Sequence, residues 1–378
     1  VAVTVSLGGP GAIFWVIVAG LVGMTTKFVE CALGVKYRVI NPDGSVSGGP
    51  MYYLRDGLAK KGMPRLGKFL GLFFAASIVI GCLGIGNMFQ SNQAFIQILE
   101  VTGGDQSPLK GYGWAAGIVM ATLVGLIVIG GIKSIAKTTE KLVPFMIVFY
   151  LIGATIVILL NAAELPRAIA SIFTGAFSAQ SAAGGILGAM IIGFQRAAFS
   201  NEAGLGSAAI AHSAVKTKYS ASEGLVALLE PFIDTVVICT MTALVIIIFN
   251  FGGFFEYGGD GSGVVMIDGM PFEGAGITSK AFAEYIPYST VFLTIAVVSF
   301  AVSTMISWSY YGLQSWKYLF GRGKAADLTY KFLFLIFVII GAFLSNFVPQ
   351  QELELLMSLL LIVLAIYLII YANKKIVL

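Results

Sequence analysis

Long apolar stretches that contain no charged residue alternate along the chain with short segments that hold most of the charges. Nine of these stretches reach the roughly 20 residues that an α-helix needs to cross a hydrocarbon core of about 30 Å. They predict nine spans, at about 8–35, 68–99, 112–132, 142–161, 186–215, 225–250, 287–312, 332–348 and 353–372. The pattern therefore predicts an all-α polytopic membrane protein, with further short helices at 164–177 and 277–286.

One predicted span, 186–215, is broken in its middle by residues that suit neither lipid nor a continuous helix: Arg196, Asn201, Glu202, Gly204 and Gly206. A break in a membrane helix frees backbone N–H and C=O groups, so it survives only where protein, water or a ligand covers them. Secondary transporters build substrate and ion sites at such breaks. We expect an interrupted helix near 196–206; the alternative is that the span ends at Gln195 and a cytoplasmic loop begins.

Composition and charge placement support a membrane protein and set its orientation. Hydrophobic residues make up 58% of the chain and charged residues 11%, whereas soluble domains contain about one quarter charged residues. If the C-terminus is cytoplasmic, most of the 23 Lys and Arg residues fall in cytoplasmic segments, and the outer loops hold only Lys110, Arg167 and Lys280. We therefore expect a multi-pass protein of the cell membrane with a cytoplasmic C-terminus. No basic block interleaved with aromatic residues suggests nucleic acid.

The residues needed for most enzyme chemistry are scarce. The three cysteines lie in apolar runs and form neither a disulfide set nor a metal-ligand spacing, and His212 is the only histidine. A membrane-embedded hydrolase would need a nucleophile–base pair or metal ligands at membrane depth. A channel would need a polar stripe along several helices. We expect neither, and we expect no enzyme activity and no cofactor.

The order of the spans indicates two repeats within one transmembrane domain, 1–378. If the interrupted helix belongs to a second repeat of five spans, 164–378, the first repeat should also hold five, but 1–163 holds four. Nine spans with a cytoplasmic C-terminus also place the N-terminus outside, although residue 1 is Val and no signal peptide is evident. We expect that the chain lacks its first core helix, the partner of the interrupted one.

Four strings in the chain are long and distinctive: GGPGAIFW at 8–15, GMTTKFVECALGVKYR at 23–38, GGPMYYL at 48–54 and FQRAAFSNEAGLGSA at 194–208. In them the chain resembles the alanine or glycine:cation symporter family, and the likeness runs from end to end. The chain departs from the family pattern at Val16 and Ile17, where a Met-Trp pair is usual. It also lacks the GTGN-type first core helix of the family. The resemblance implies a leucine-transporter-type inverted-repeat helical bundle and sodium-coupled symport of alanine or glycine by alternating access.

A candidate sodium site lies in the span 287–312. The string SFAVSTMISW at 299–308 places Ser303 beside Thr304, with the carbonyl of Phe300 one turn back. Hard cations take oxygen ligands, and the resemblance maps sodium ligands onto these positions. Alternatively, the hydroxyls bond back to their own helix or join helices together. Thr304 and Trp308 share a helix face, so Trp308 is predicted to be an apolar wall of the substrate site.

Further candidate substrate ligands lie at the break and in the span 68–99. Phe199, Ser200 and Asn201 are predicted at the unwound point, with Asn201 as N-cap of the following half-helix. The amides of Asn87 and Gln90 could accept from an ammonium and donate to a carboxylate, although a packing role is nearly as good an explanation.

Charged residues inside the spans are functional candidates by default. We expect Arg196 and Glu202 to pair with each other or with an acid at the start of the next span, Glu230 or Asp234. Lys27 and Glu30, on successive turns of the first span, are expected to act in the same way, through gating or structural pairing.

The predicted partners are alanine or glycine, sodium as a co-transported ion, and the lipid bilayer, with no nucleic acid. Two alternatives to sodium-coupled symport stay open: a proton-coupled amino-acid transporter, and an inactive, N-terminally truncated fragment of the symporter. The sequence does not predict the oligomeric state, and a monomer is consistent with it.

Overall fold

A computed structural model describes residues 1–178, 185–259 and 261–345. Six of its helices are long and apolar enough to cross a membrane: Ala2–Lys36, Pro64–Val101, Gly131–Leu160, Ser220–Asn250, Ser289–Phe320 and Lys324–Leu344. Gly113–Ile129 is a shorter apolar helix, and the predicted interrupted span forms two helices. The polytopic helical architecture is thereby confirmed, while the predicted span at 353–372 lies outside the described residues.

The α-helices in chain order are α1 (Ala2–Lys36), α2 (Pro50–Lys60), α3 (Pro64–Leu83), α4 (Phe89–Val101), α5 (Gly113–Ile129), α6 (Gly131–Leu160), α7 (Leu165–Ala176), α8 (Gly185–Asn201), α9 (Ser207–His212), α10 (Ser220–Ala227), α11 (Leu229–Pro231), α12 (Thr240–Asn250), α13 (Ala275–Tyr285), α14 (Ser289–Phe320) and α15 (Lys324–Leu344). Two π-helical segments join neighbouring helices, Gly84–Met88 between α3 and α4 and Phe232–Cys239 between α11 and α12. Short 3₁₀ turns occupy Gly104–Gln106 and Ala162–Glu164. Helices α7 and α13 confirm the two short helices predicted from the sequence.

In the part of the chain that the structure describes, four short strands form two antiparallel hairpins: β1 (Val39–Ile40) with β2 (Val46–Ser47), and β3 (Val265–Ile267) with β4 (Met270–Phe272). In the turn of the first hairpin, the hydroxyl and the backbone N–H of Ser45 both donate to Asp43 Oδ1, at 2.6 and 3.0 Å. These bonds stabilise the carboxylate and lower the pKa of Asp43 below its usual value.

The chain forms two compact units. The first comprises the described parts of Val1–Phe28, Phe145–Leu205 and Leu225–Ala296. The second comprises the described parts of Val29–Pro144, Gly206–Gly224 and Val297–Leu378.

Small residues bring the helices of the first unit close together. A Cβ atom on Gly11 of α1 would lie 2.2 Å from the carbonyl carbon of Gly175 in α7, so these two backbones pack directly against each other. Gly193 of α8 likewise leaves no room for a Cβ beside Trp15. Close approach at glycines gains van der Waals contact, which drives helix association where lipid is as apolar as the side chains.

The second unit is built around α15, which packs against α4, α5 and the Gly84–Met88 segment. Its fully buried residues repeat every four positions, which places them on one helix face: Tyr330, Phe334, Val338 and Ala342. A Cβ on Gly341 would lie 2.4 Å from the carbonyl oxygen of Met88, so the backbones approach closely here as well. This packing holds the Gly84–Met88 segment in place.

Candidate functional site

The interrupted helix predicted from the sequence is present. Helix α8 continues past Gln195 to Asn201, so the helix itself does not end at Gln195. The chain then adopts positive φ at Glu202 (56°), Gly204 (94°) and Gly206 (76°) before α9 begins. Left-handed residues of this kind end a helix, and a positive φ is strained for a residue other than glycine such as Glu202.

The break lies a few residues beyond its predicted centre. Phe199, Ser200 and Asn201 form the last turn of α8 and are helical, whereas the non-helical backbone comprises 202–206. The predicted N-cap role of Asn201 is also wrong, since Gly206 occupies that position of α9. The side chain of Asn201 instead serves the end of α8, where its Oδ1 accepts from the N–H of Ala203 at 3.0 Å.

Hydroxyl and amide groups connect the last turn of α8 to the π-helical segment Phe232–Cys239. Asn201 Nδ2 donates to Thr235 Oγ1 at 2.9 Å, and the Thr235 hydroxyl donates to Asp234 at 3.0 Å. The hydroxyl of Ser200 also donates to Asp234. This network fixes the position of the end of α8. Because π-helical turns occur frequently at functional sites, the segment Phe232–Cys239 makes this a candidate functional region.

A buried lysine completes this network from α1. The side chain of Lys27 is fully buried, and its Nζ donates to the carbonyl of Asn201 at 2.7 Å and lies 3.2 Å from Glu230 Oε2. The C-terminal carbonyls of a helix lack intrahelical donors and carry partial negative charge. The ammonium of Lys27 therefore satisfies and stabilises the interrupted end of α8.

The structure gives partners to the two acids that were predicted as alternative partners of Arg196 and Glu202. Glu230 pairs with Lys27, and Asp234 accepts from two hydroxyl groups. Sequence reasoning assigned no role to Thr235. The available signal was its position directly after Asp234 in an otherwise apolar run, where a hydroxyl beside a carboxylate is unusual.

In the second unit, Ser303 and Thr304 lie side by side on α14, and Ser303 is buried. Other hydroxyls of α14 bond back to their own helix: Thr294 donates to the Thr290 carbonyl at 2.8 Å and Ser309 to the Ile306 carbonyl at 2.6 Å. Within the described part of the chain, Ser303 and Thr304 make no such bond. Among the described residues, neither hydroxyl is therefore used in a hydrogen bond to its own helix.

Trp308 packs its indole ring against the Gly84–Met88 segment. A Cβ on Gly86 would lie 2.4 Å from Cδ2 of the ring, whereas a Cβ on Gly81 would meet the ring at 3.5 Å, an ordinary contact. The indole is 8% exposed and forms part of the hydrophobic core of the second unit. The structure thus brings Trp308 next to the segment that contains Asn87.

The side-chain amides of Asn87 and Gln90 each donate a hydrogen bond to a backbone carbonyl. Asn87 Nδ2 donates to the carbonyl of Phe334 at 2.7 Å, and Gln90 Nε2 donates to the carbonyl of Ile85 at 3.2 Å. The Oδ1 atom of Asn87 is buried and has no hydrogen-bond partner among the residues that the structure describes. Packing therefore uses one N–H of each amide, and the oxygen of Asn87 remains as an acceptor.

The candidate residues are distributed over the two units. Those of the first unit are Phe199, Ser200 and Asn201. Those of the second unit are Asn87, Gln90, Phe300, Ser303, Thr304 and Trp308. Over residues 1–178, 185–259 and 261–345, no group of three or more His, Cys, Asp and Glu side chains is arranged to hold a metal ion.

Comparison with known proteins identifies the family. The model of the sodium:alanine symporter family matches residues 1–377. The sodium/alanine symporter AgcS of Methanococcus maripaludis is 39% identical over 344 residues, which cover 90% of this chain and 70% of the relative. The amino-acid carrier protein AlsT of Bacillus subtilis is 32% identical over 314 residues, covering 82% of this chain and 61% of the relative.

A further relative from Bacillus subtilis, named as a probable sodium/glutamine symporter, GlnT, is 31% identical over 365 residues, covering 96% of this chain and 70% of the relative. The names of these relatives describe transporters rather than enzymes. The apolar helices of the described chain agree with that assignment. The chain is a multi-pass membrane protein that belongs to the sodium:alanine symporter family.

Proposed function

We propose that this protein is a sodium-driven symporter of small neutral amino acids, with alanine or glycine as substrate, that works by alternating access. The observation that carries the proposal is the interrupted helix, present in a chain that matches this family over nearly its whole length. At such a break, half-helix N-termini can face a carboxylate and free carbonyls can face a cation.

The proposed sodium ligands are the hydroxyls of Ser303 and Thr304 and the carbonyl of Phe300. Their support is chemical and geometric. They supply uncharged oxygens on one stretch of α14, and the two hydroxyls are not consumed by hydrogen bonds within the described part of the chain. A hard cation in a water-poor site requires oxygens of this kind.

For the substrate we propose, in the first unit, the backbone around the last turn of α8 at Phe199, Ser200 and Asn201. In the second unit we propose Thr304 and Trp308 as substrate contacts. The network around Asn201 supports this assignment because it holds the interrupted end in one conformation. Asn87 and Gln90 remain candidates through their oxygen atoms and their second N–H groups, since one N–H of each amide binds a backbone carbonyl.

Sodium coupling is tested by uptake into proteoliposomes. Uptake of labelled alanine should fall to the background of protein-free vesicles when choline replaces external sodium, because an unfilled ion site leaves the transport-competent state unpopulated. An imposed proton gradient in choline is the control for coupling to protons. Equal uptake in choline and sodium would contradict the proposal, and uptake driven by the proton gradient would favour the proton-coupled alternative. Competition by glycine and glutamine ranks the substrates.

The ion ligands are tested by Thr304→Ala. The substitution removes one oxygen and leaves the helix apolar, so the sodium concentration for half-maximal uptake should rise several-fold while the amount of folded protein stays the same. Thr294→Ala on the same helix is the matched control, because its hydroxyl already bonds to the Thr290 carbonyl. Sodium dependence equal to that of the parent protein would make Thr304 a packing residue.

A further inference from the structure

The second unit contains a small polar cavity beside the C-terminal end of α14, which the transport proposal does not use. Its volume is about 190 Å³, and its charged lining comprises Lys317, Arg322, Lys331, Asp43 and Asp327. At roughly 30 Å³ for each water of liquid volume, the cavity has room for about six waters, or for one compact ionic group.

The charges around this cavity leave an excess of positive charge. Asp327 is shared by two lysines, since it pairs with Lys317 and lies 2.9 Å from Lys331 Nζ. The Arg322 guanidinium acts on Asp43 through space, and the part of the chain that the structure describes contains no ion pair of Arg322 within 4.0 Å. Arg322 therefore has donors available for an anion, and a guanidinium matches the geometry of a phosphate group.

An apolar groove lies beside the polar cavity. It has a volume of about 540 Å³ and is lined by Ile129, Leu328, Phe332 and Ile336, among others. Lys331 lines both spaces, and its ammonium lies 2.9 Å from Asp327 Oδ2 and donates to the carbonyl of Ile129 at 3.4 Å. A long basic side chain arranged in this way is typical of a boundary between hydrocarbon and headgroup.

We propose that the cavity and the groove together bind one anionic phospholipid. Its phosphodiester lies beside Arg322 and Lys331, and an acyl chain lies along Leu328 and Phe332. The cavity is too small for a whole lipid, and the groove has almost no polar lining, so an amphipathic anion fits both spaces whereas inorganic phosphate fits only one. Basic pockets between transmembrane helices are known to bind such headgroups. The inference does not depend on which amino acid or ion the protein transports.

Native mass spectrometry of the detergent-purified protein tests this site. The delipidated protein is titrated with phosphatidylglycerol and with phosphatidylcholine of the same acyl chains. We expect one phosphatidylglycerol to be retained in preference to phosphatidylcholine, and Arg322→Gln to weaken that retention about fivefold, the effect of losing one basic residue near a headgroup. Arg322→Gln leaves the Lys317–Asp327–Lys331 pairs intact, so folding should not be affected.

The matched control is Lys324→Gln, which removes an exposed basic residue from the same segment but not from the cavity lining. Its retention of phosphatidylglycerol should equal that of the parent protein. Equal retention of both lipids, or equal losses in Arg322→Gln and Lys324→Gln, would overturn the proposal. Displacement of the lipid by millimolar inorganic phosphate or by a short-chain phosphatidylglycerol would overturn the acyl-chain groove and leave a site for phosphate alone.

Discussion

Lys27→Met should lower the free energy of unfolding by about 1.5–3 kcal/mol, the usual contribution of a hydrogen bond to a charged group. Methionine has a similar length and fits the space of the buried stem, so the change removes charge and donors without opening a large cavity. The carbonyl of Asn201 then loses a donor at 2.7 Å, at a helix end that has no intrahelical replacement. The interrupted end of α8 should loosen, and transport should fall more than stability alone explains.

The matched control for Lys27→Met is Glu230→Gln. Glu230 is 45% exposed at its side chain, so water replaces the lost charge and the amide oxygen can still accept from Lys27. Its effect on thermal unfolding in detergent should be less than half that of Lys27→Met. Similar unfolding temperatures for Lys27→Met and the parent protein would show that the ammonium does not stabilise the break.

Gly86→Ala should destabilise the second unit by about 1–3 kcal/mol, the usual cost of overpacking a filled core. The added methyl group would lie 2.4 Å from the Trp308 ring, so either the indole or the π-helical segment must move. Because Trp308 is a proposed substrate contact, the same change should also raise the alanine concentration for half-maximal uptake. Thermal unfolding and uptake by one preparation measure both effects.

Two further variants make the interpretation of Gly86→Ala specific. Gly81→Ala places a methyl group 3.5 Å from the same ring, so it should be neutral or stabilising by about 0.5–1 kcal/mol through helix propensity. In a Trp308→Leu background, Gly86→Ala should cost much less stability than in the parent protein, since the smaller side chain leaves room for the methyl group. An equal cost in both backgrounds would indicate that a backbone property of Gly86, and not contact with Trp308, is responsible.

Hydrophobic patterning predicted the helical architecture because lipid imposes a simple requirement on length and composition. It also located the break in 186–215 to within a few residues. The exact end of α8 depends on which residues adopt positive φ. The glycines at 204 and 206 indicate such a backbone, whereas a glutamate at 202 does not. The strings that carry the family resemblance were sufficient to identify the family, which the comparisons confirm.

The partners of individual side chains could not be predicted from the pattern. Lys27 meets Asn201 across 174 positions of the chain, and Asn87 meets Phe334 across 247, so neither pair has a local signature. A lysine in a membrane span is expected to pair with an acid, and Lys27 does pair with Glu230. Its contact with the carbonyl of Asn201 could not be predicted, because it depends on where α8 ends. Both π-helical segments also went unpredicted, because apolar periodicity does not distinguish them from α-helix over five to eight residues.

The π-helical segment Gly84–Met88 has a consequence for the history and the engineering of this chain. A π turn accommodates one residue more than the α-helical turn it replaces, so the segment has the form of a single-residue insertion that the helix absorbed without ending. Deleting Ile85, whose side chain is exposed, should convert the wide turn into a regular α-helical turn and leave α4 facing the same way relative to α3. The loss of one residue should therefore be better tolerated here than elsewhere along Pro64–Val101, where it would rotate the rest of the helix by about 100° and change which residues face α15.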